Sequence, residues 1–179
     1  KRKKIVLYNP KAVFYDMPLA LLAIGSVLDP QHYEVVIIDG RIEERPLQLV
    51  LDHAADALCL GITSLTGNPL RDALHVTRAT RARYPQLPIV WGGWHTSLFP
   101  EQTLRDEAAI DVSVQGQGES TFRELVACFE SGADLANVAG ICYRDASGEI
   151  VKNPGRPLED MNFFPRVDYE LIDVEQYFK

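Results

Sequence analysis

Apolar residues along this chain fall into short, nearly unbroken runs, separated by stretches in which they recur every three or four positions. The runs are KIVLYN (4–9), YEVVIID (33–39), ALCLGIT (57–63), PIVWGG (88–93) and DVSVQG (111–116). Between them, Leu70, Ala73, Leu74 and Thr77 keep helical spacing, as do Phe122, Leu125, Val126 and Phe129. Strand-length runs alternating with helical periods predict right-handed βαβ units around a parallel sheet. The runs lack polar alternation, which predicts strands covered on both faces. Arg71, Arg78, Arg81 and Arg83 fall on the outer helix faces and read as solvated surface.

The pattern changes after residue 131. AGICYRDASGEIVKNP holds two short strand-like runs around a Ser-Gly turn, which predicts a β-hairpin at 134–153. From 154 to 179 there is no period, and prolines stand at 157 and 165, so this stretch reads as a linker towards a further domain. The expected architecture is α/β over 1–133, a doubly wound, five-stranded parallel sheet of order 2-1-3-4-5, with the hairpin appended.

Composition narrows the function classes. A chain of 179 residues, 46% hydrophobic, can bury one good core. Its longest apolar stretches are of strand or short-helix length and no cleavable leader is visible, so the expectation is a cytoplasmic chain that does not enter a membrane. Cys59, Cys128 and Cys142 are odd in number and far apart, which suggests neither a disulfide framework nor a zinc site. Eighteen basic against twenty-five acidic residues give a net charge of -7 without a basic, aromatic-interleaved stripe, which disfavours nucleic acid as a ligand.

In a doubly wound sheet, ligands bind at the carboxyl ends of the strands, near the point where strand order reverses. The loops there read NPKAVFYDMP, DGRIEE, TSLTGN, GGWHTS and GQGES. None has the spacing of a phosphate loop, and the first lacks the G-x-G-x-x-G of a nicotinamide site. A phosphorylated receiver would want acidic residues where Asn9 and Thr63 stand.

Five segments in order carry a resemblance: GITSLTGN (61–68), GGWHTS (92–97), GQGESTFREL (116–125), GICYRDASGEI (140–150) and FPRVDYELID (164–173). Together they resemble the N-terminal cobalamin-binding domain of cobalamin-dependent radical S-adenosylmethionine enzymes. The resemblance implies a flavodoxin-like (Rossmann-like) fold that holds cobalamin and does no chemistry alone. It implies as partner a C-terminal radical S-adenosylmethionine barrel of the same chain, with a [4Fe-4S] cluster and S-adenosylmethionine, and as usual reaction methyl transfer to an unactivated carbon. No two cysteines here have the CxxxCxxC spacing of that barrel. A Rossmann-like recognition or interaction module that has lost cobalamin is the alternative.

A corrin is a broad disc with a nucleotide tail, so it needs a wide sheet top and a slot. On that reading adjacent Gly92 and Gly93 clear side chains from the path of the tail, the alternative being a tight strand-to-helix turn. Thr63, Ser64 and Thr66 offer hydroxyls to the corrin or tail, or else cap the helix that follows, and Leu65 packs on the ring. Gly116 and Gly118 with Glu119 and Ser120 flank the tail, Glu119 being equally at home in a first helical turn. Asn9, Phe14 and Tyr15 from the first loop are placed at the corrin, Phe14 and Tyr15 covering its edge. Trp94 is either core or a ring packed on the tail base. His95 reads as a hydrogen-bonding residue of the loop or tail rather than a cobalt ligand, because the first loop has no D-x-H-x-x-G motif. No residue is assigned to catalysis or to a metal.

Overall fold

The computed structural model describes residues 1–14 and 16–178. Its elements run β1 (Lys3–Asn9), α1 (Leu19–Ser26), β2 (Tyr33–Asp39), α2 (Pro46–Ala54), β3 (Ala57–Thr63), α3 (Asn68–Arg83), β4 (Ile89–Gly92), α4 (Trp94–Leu98), α5 (Pro100–Asp106), β5 (Val112–Val114), α6 (Glu119–Ser131), β6 (Ile141–Arg144) and β7 (Ile150–Lys152). One sheet holds all seven strands in the order β2-β1-β3-β4-β5-β6-β7. The first five are parallel in the expected order, and β6 and β7 join antiparallel.

The five-stranded count is therefore corrected to seven. The hairpin is not an appendage but the continuation of the sheet, with Val112, Ser113 and Val114 facing Tyr143, Cys142 and Ile141. The reason lies in β5, which is only three residues long and would otherwise leave its outer backbone unpaired.

Side chains alternate across the pleat and so build two layers. Val6, Tyr8, Leu60, Ile62, Ile89 and Trp91 face α2, α3 and α5 through Val50, Ala73, Val76 and Leu104. Ile5, Leu7 and Cys59 face α1 and α6 through Leu21, Phe122 and Val126. A third cluster under the hairpin joins Val90, Val112, Leu125, Ile141 and Tyr143. A large aliphatic side chain fully withdrawn from water contributes about 1.5–3 kcal/mol, so these faces hold the sheet between its helices. The edge strand β2 is half-buried along most of its length, since it has a neighbouring strand on one side only.

Two further contacts depart from the sequence reading. Arg81 is not a solvated surface residue: it donates to the carbonyls of Pro85, Leu87 and Ala109 and pairs with Asp111, tying the end of α3 to the starts of β4 and β5. The segment after residue 153 folds back on the domain in short 3-10 turns. The Asp168 amide donates to Ser26 Oγ at 2.9 Å, and Tyr177 Oη donates to Asp39 Oδ2 at 2.6 Å. Among the described residues no helix is long and apolar enough to cross a membrane.

Candidate functional site

Two adjoining clefts open at the carboxyl ends of the strands. A broad one of about 510 Å³ lies over the reversal of strand order between β1 and β3, walled by the first loop, the start of α1, the loop after β3 and Trp94. A narrower slot of about 270 Å³ runs down between α1 and β3–β5 towards α6. Ala20, Leu21, Thr63, Gly93 and Gly116 line both, so the two form one continuous space.

The rim is laced by hydrogen bonds between loops. Both the amide and the hydroxyl of Ser64 donate to the Gly92 carbonyl, at 2.8 and 2.7 Å. Ser97 Oγ donates to the Gly93 carbonyl at 2.8 Å and accepts from the Gly116 amide at 3.0 Å. Thr96 Oγ1 donates to the Val114 carbonyl at 2.7 Å. These bonds hold the loops after β3, β4 and β5 in one arrangement.

The two glycines after β4 do different work. A Cβ on Gly92 would meet nothing nearer than Val114 Cβ at 3.9 Å, so the space beside it is the slot itself. A Cβ on Gly93 would stand 2.7 Å from the Ser64 carbonyl oxygen and 2.9 Å from both Ser64 N and Thr63 Oγ1. Gly93 also has φ +94 and ψ -166, a region essentially confined to glycine. Of the two, only Gly92 borders open space in the slot, whereas Gly93 is required by the packing of one loop against the next.

The first loop is anchored beneath the broad cleft. Asn9 Nδ2 donates to Asp39 Oδ1 at 3.0 Å, the Lys11 amide to Asp72 Oδ2 at 2.8 Å, and Tyr8 Oη to the same carboxylate oxygen at 2.5 Å. Burial, reinforced by the Asp72 acceptor, raises the Tyr8 pKa and keeps its phenol protonated. The Arg41 guanidinium stacks 4.4 Å from the centre of the Phe14 ring at the cleft wall.

Most of the sequence candidates meet at this space. Asn9, Phe14, Thr63, Ser64, Leu65, Gly93, Trp94 and Gly116 line the broad cleft, and Thr63, Gly92, Gly93, Gly116, Gly118 and Glu119 line the slot. Tyr15 lies outside the described residues. Thr66 and His95 line neither: Thr66 Oγ1 and His95 Nδ1 bond each other at 3.0 Å, and the imidazole faces a separate groove with Leu70, Leu74 and Phe99, where burial lowers its pKa. Trp94 is 72% exposed, which removes the core reading. The hydroxyls of Ser64 and Thr66 do not cap α3; its N-cap position is Gly67, with no side-chain cap.

Other lining residues escaped the sequence reading. Ala20, Ala23 and Ile24 of α1, Gln117, Phe122 and Met161 all line the slot, and Arg41 the broad cleft. Gln117 fastens the C-terminal segment across the slot, its Oε1 accepting from the Glu159 amide at 2.8 Å and its Nε2 lying 3.3 Å from Met161 Sδ. A usable signal was the run LALLAIGS, which has no charge on any side and so marks a helix with a second apolar face.

An open α/β sheet with a wide, apolar-rimmed cleft and a narrow slot beside its first helix defines a binding domain for a ligand with a broad body and a thin tail. The B12 binding domain family matches residues 5–126, and the chain belongs to that family. Among curated proteins, an uncharacterised methyltransferase of Pyrococcus horikoshii is 31% identical over 163 residues, covering 89% of this chain and 35% of that protein. Anaerobic magnesium-protoporphyrin IX monomethyl ester cyclase of Synechocystis sp. is 31% identical over 165 residues, 89% of this chain and 32% of the relative. The chain thus spans about a third of the length of these relatives. In fold it is similar to the radical S-adenosylmethionine methyltransferase TsrM of Kitasatospora setae, solved with cobalamin and a [4Fe-4S] cluster bound, at TM-score 0.74 and 21% identity over 96% of this chain and 32% of that one.

The residues present suit cobalamin. Gly92 leaves a cradle that any side chain would fill, and Ala20, Ala23, Ile24, Val90, Val114 and Phe122 give the slot walls that an aromatic base can pack against. Among the described residues no cluster of His, Cys, Asp and Glu could hold a metal ion directly.

Proposed function

We propose that this chain is the cobalamin-binding domain of a longer radical S-adenosylmethionine enzyme that transfers a methyl group to an unactivated carbon. The observation that carries the reading is the continuous space of cleft and slot, with Gly92 as the bare position at their junction. Methyl transfer is favoured by the names of the Pyrococcus horikoshii relative and of TsrM, while the Synechocystis cyclase marks ring closure as the competing outcome.

When bound, cobalamin supplies a cobalt centre that can carry a methyl group. The domain's own residues position it. Phe14, Leu65 and Trp94 offer apolar surface to the broad face of the ligand and keep water from it, Arg41 and Thr63 offer donors to its amide rim, and the slot holds the tail. The laced loops after β3, β4 and β5 present this surface preformed, so little ordering opposes binding.

The test is direct binding. A ligand that binds only the folded state stabilises it by about 2.7 kcal/mol at roughly 100 times Kd. Hydroxocobalamin is expected to raise Tm by several degrees and to co-elute with the chain in gel filtration. A folded chain with neither response rejects the proposal.

A further inference from the structure

Among the described residues that line the slot, one carries a fully buried polar atom without a partner. Glu119, the first residue of α6, is only 9% exposed, it lines the slot, and its Oε2 is buried with no hydrogen-bond partner. An acidic residue in a first helical turn is ordinarily explained by the helix dipole, but that explanation needs no burial and leaves the oxygens in water. Here the carboxylate sits beyond Gly118, where the chain passes between Ile24 of α1 and Val114 of β5. Among the described residues no lysine or arginine lines the slot to pair with it. Buried acceptors are almost always satisfied, so an unsatisfied carboxylate on a residue that lines the slot marks the place of a donor that arrives with the ligand. The neighbouring Ser120 Oγ is also buried and unpartnered, but it lines neither cleft and takes no part.

We infer that Glu119 accepts a hydrogen bond from an O–H or N–H donor on the nucleotide tail, so that the domain selects complete cobamides over corrinoids that lack the tail. The inference rests on the cobalamin reading and names the group that reads the tail. In a tail nucleotide such a donor is a sugar hydroxyl, common to all complete cobamides, or an exocyclic amine, present only when the base is a purine such as adenine.

The experiment measures Kd by absorbance titration for hydroxocobalamin, for the corresponding adenine cobamide and for cobinamide, with the wild-type chain, Glu119→Gln and Glu119→Ala. Glu119→Gln keeps the volume and replaces one acceptor, so a thermal melt close to wild type accompanies it. Wild type is expected to prefer hydroxocobalamin over cobinamide by tenfold or more. Glu119→Ala is expected to lose roughly ten- to hundredfold for the complete cobamides and Glu119→Gln, whose amide oxygen can still accept, a smaller but measurable part of that, while both stay within about twofold for cobinamide. Equal losses for both complete cobamides assign the donor to the sugar, and a loss confined to the adenine form assigns it to the base. The inference is overturned if wild type binds cobinamide as well as hydroxocobalamin, if the variants lose affinity for cobinamide equally, or if they lose none for either cobamide. Failure of wild type to bind any of the three rejects the cobalamin reading itself.

Discussion

Gly92 and Gly93 are adjacent in sequence and opposite in what they tolerate. Gly92→Leu fills the slot without touching the fold, because the nearest atom to its Cβ is 3.9 Å away. The expected result is a Tm close to wild type with cobalamin binding lost, read by titration alongside a melt. Gly93→Ala meets Ser64 backbone at 2.7 Å in a conformation reserved for glycine, so it is expected to cost more than about 2 kcal/mol in a denaturant melt. Equal stability of the two variants would contradict this division. The sequence shows only that the pair makes room, whether for a ligand or for a tight strand-to-helix turn. It does not show for what, because the obstacle at Gly93 is a loop thirty residues earlier that only the fold brings alongside. The same limit applies to His95, whose partner Thr66 lies across the β3–β4 boundary.

At the scale of elements, the parallel core was legible because strands covered on both faces write unbroken apolar runs. The merger of the hairpin into the sheet was not, since hairpin sequences look alike whether or not a third strand pairs with them. The C-terminal segment was equally opaque, because its docking depends on isolated groups rather than a period. Tyr177 is one such group. Burial chiefly, and then its hydrogen bond to Asp39, raises its pKa above the usual 10.0. For an acid whose folded pKa is raised, the stabilisation is complete below the unfolded value and is lost as pH rises through the folded one. The segment is therefore expected to stay docked up to about pH 10 and to loosen above it, as the phenolate would face the Asp39 carboxylate. Tyr177→Phe removes that dependence and costs about 1 kcal/mol. Limited proteolysis after residue 153, compared across pH in both forms, checks it; identical pH profiles would show that Tyr177 is not the latch.

Across the whole molecule, the distribution of histidine and of exposed apolar surface bears on how cobalamin would sit. Among the described residues no histidine lines either cleft: His32 is paired with Glu130, His53 sits in the last turn of α2, His75 lies on the outer side of α3 and His95 is turned to its own groove. Bound cobalamin is expected to be base-off with no protein imidazole on cobalt. Electron paramagnetic resonance of the cob(II)alamin form checks it, because an axial nitrogen would split the cobalt lines into triplets. The other whole-molecule feature is a crown of large apolar side chains on the elements that follow β1 and β4. Val13, Leu19, Trp94 and Leu98 are each more than half exposed there, although the core beneath is well filled. Leu19 and Trp94 line the broad cleft, whereas Val13 borders a separate groove with Asn68, Arg71 and His75 and Leu98 lines neither cleft, so on the proposed function both would be open to a covering domain. Val13→Ser with Leu98→Ser is expected to leave the Tm of this chain and its cobalamin affinity unchanged, since neither residue is buried or in contact with the ligand. In the longer enzyme the same pair is expected to speed cobalamin release by tenfold or more, measured by exchange against excess free cobinamide. If release from the longer enzyme is unaffected, the crown does not meet a second domain and the cleft is closed in some other way.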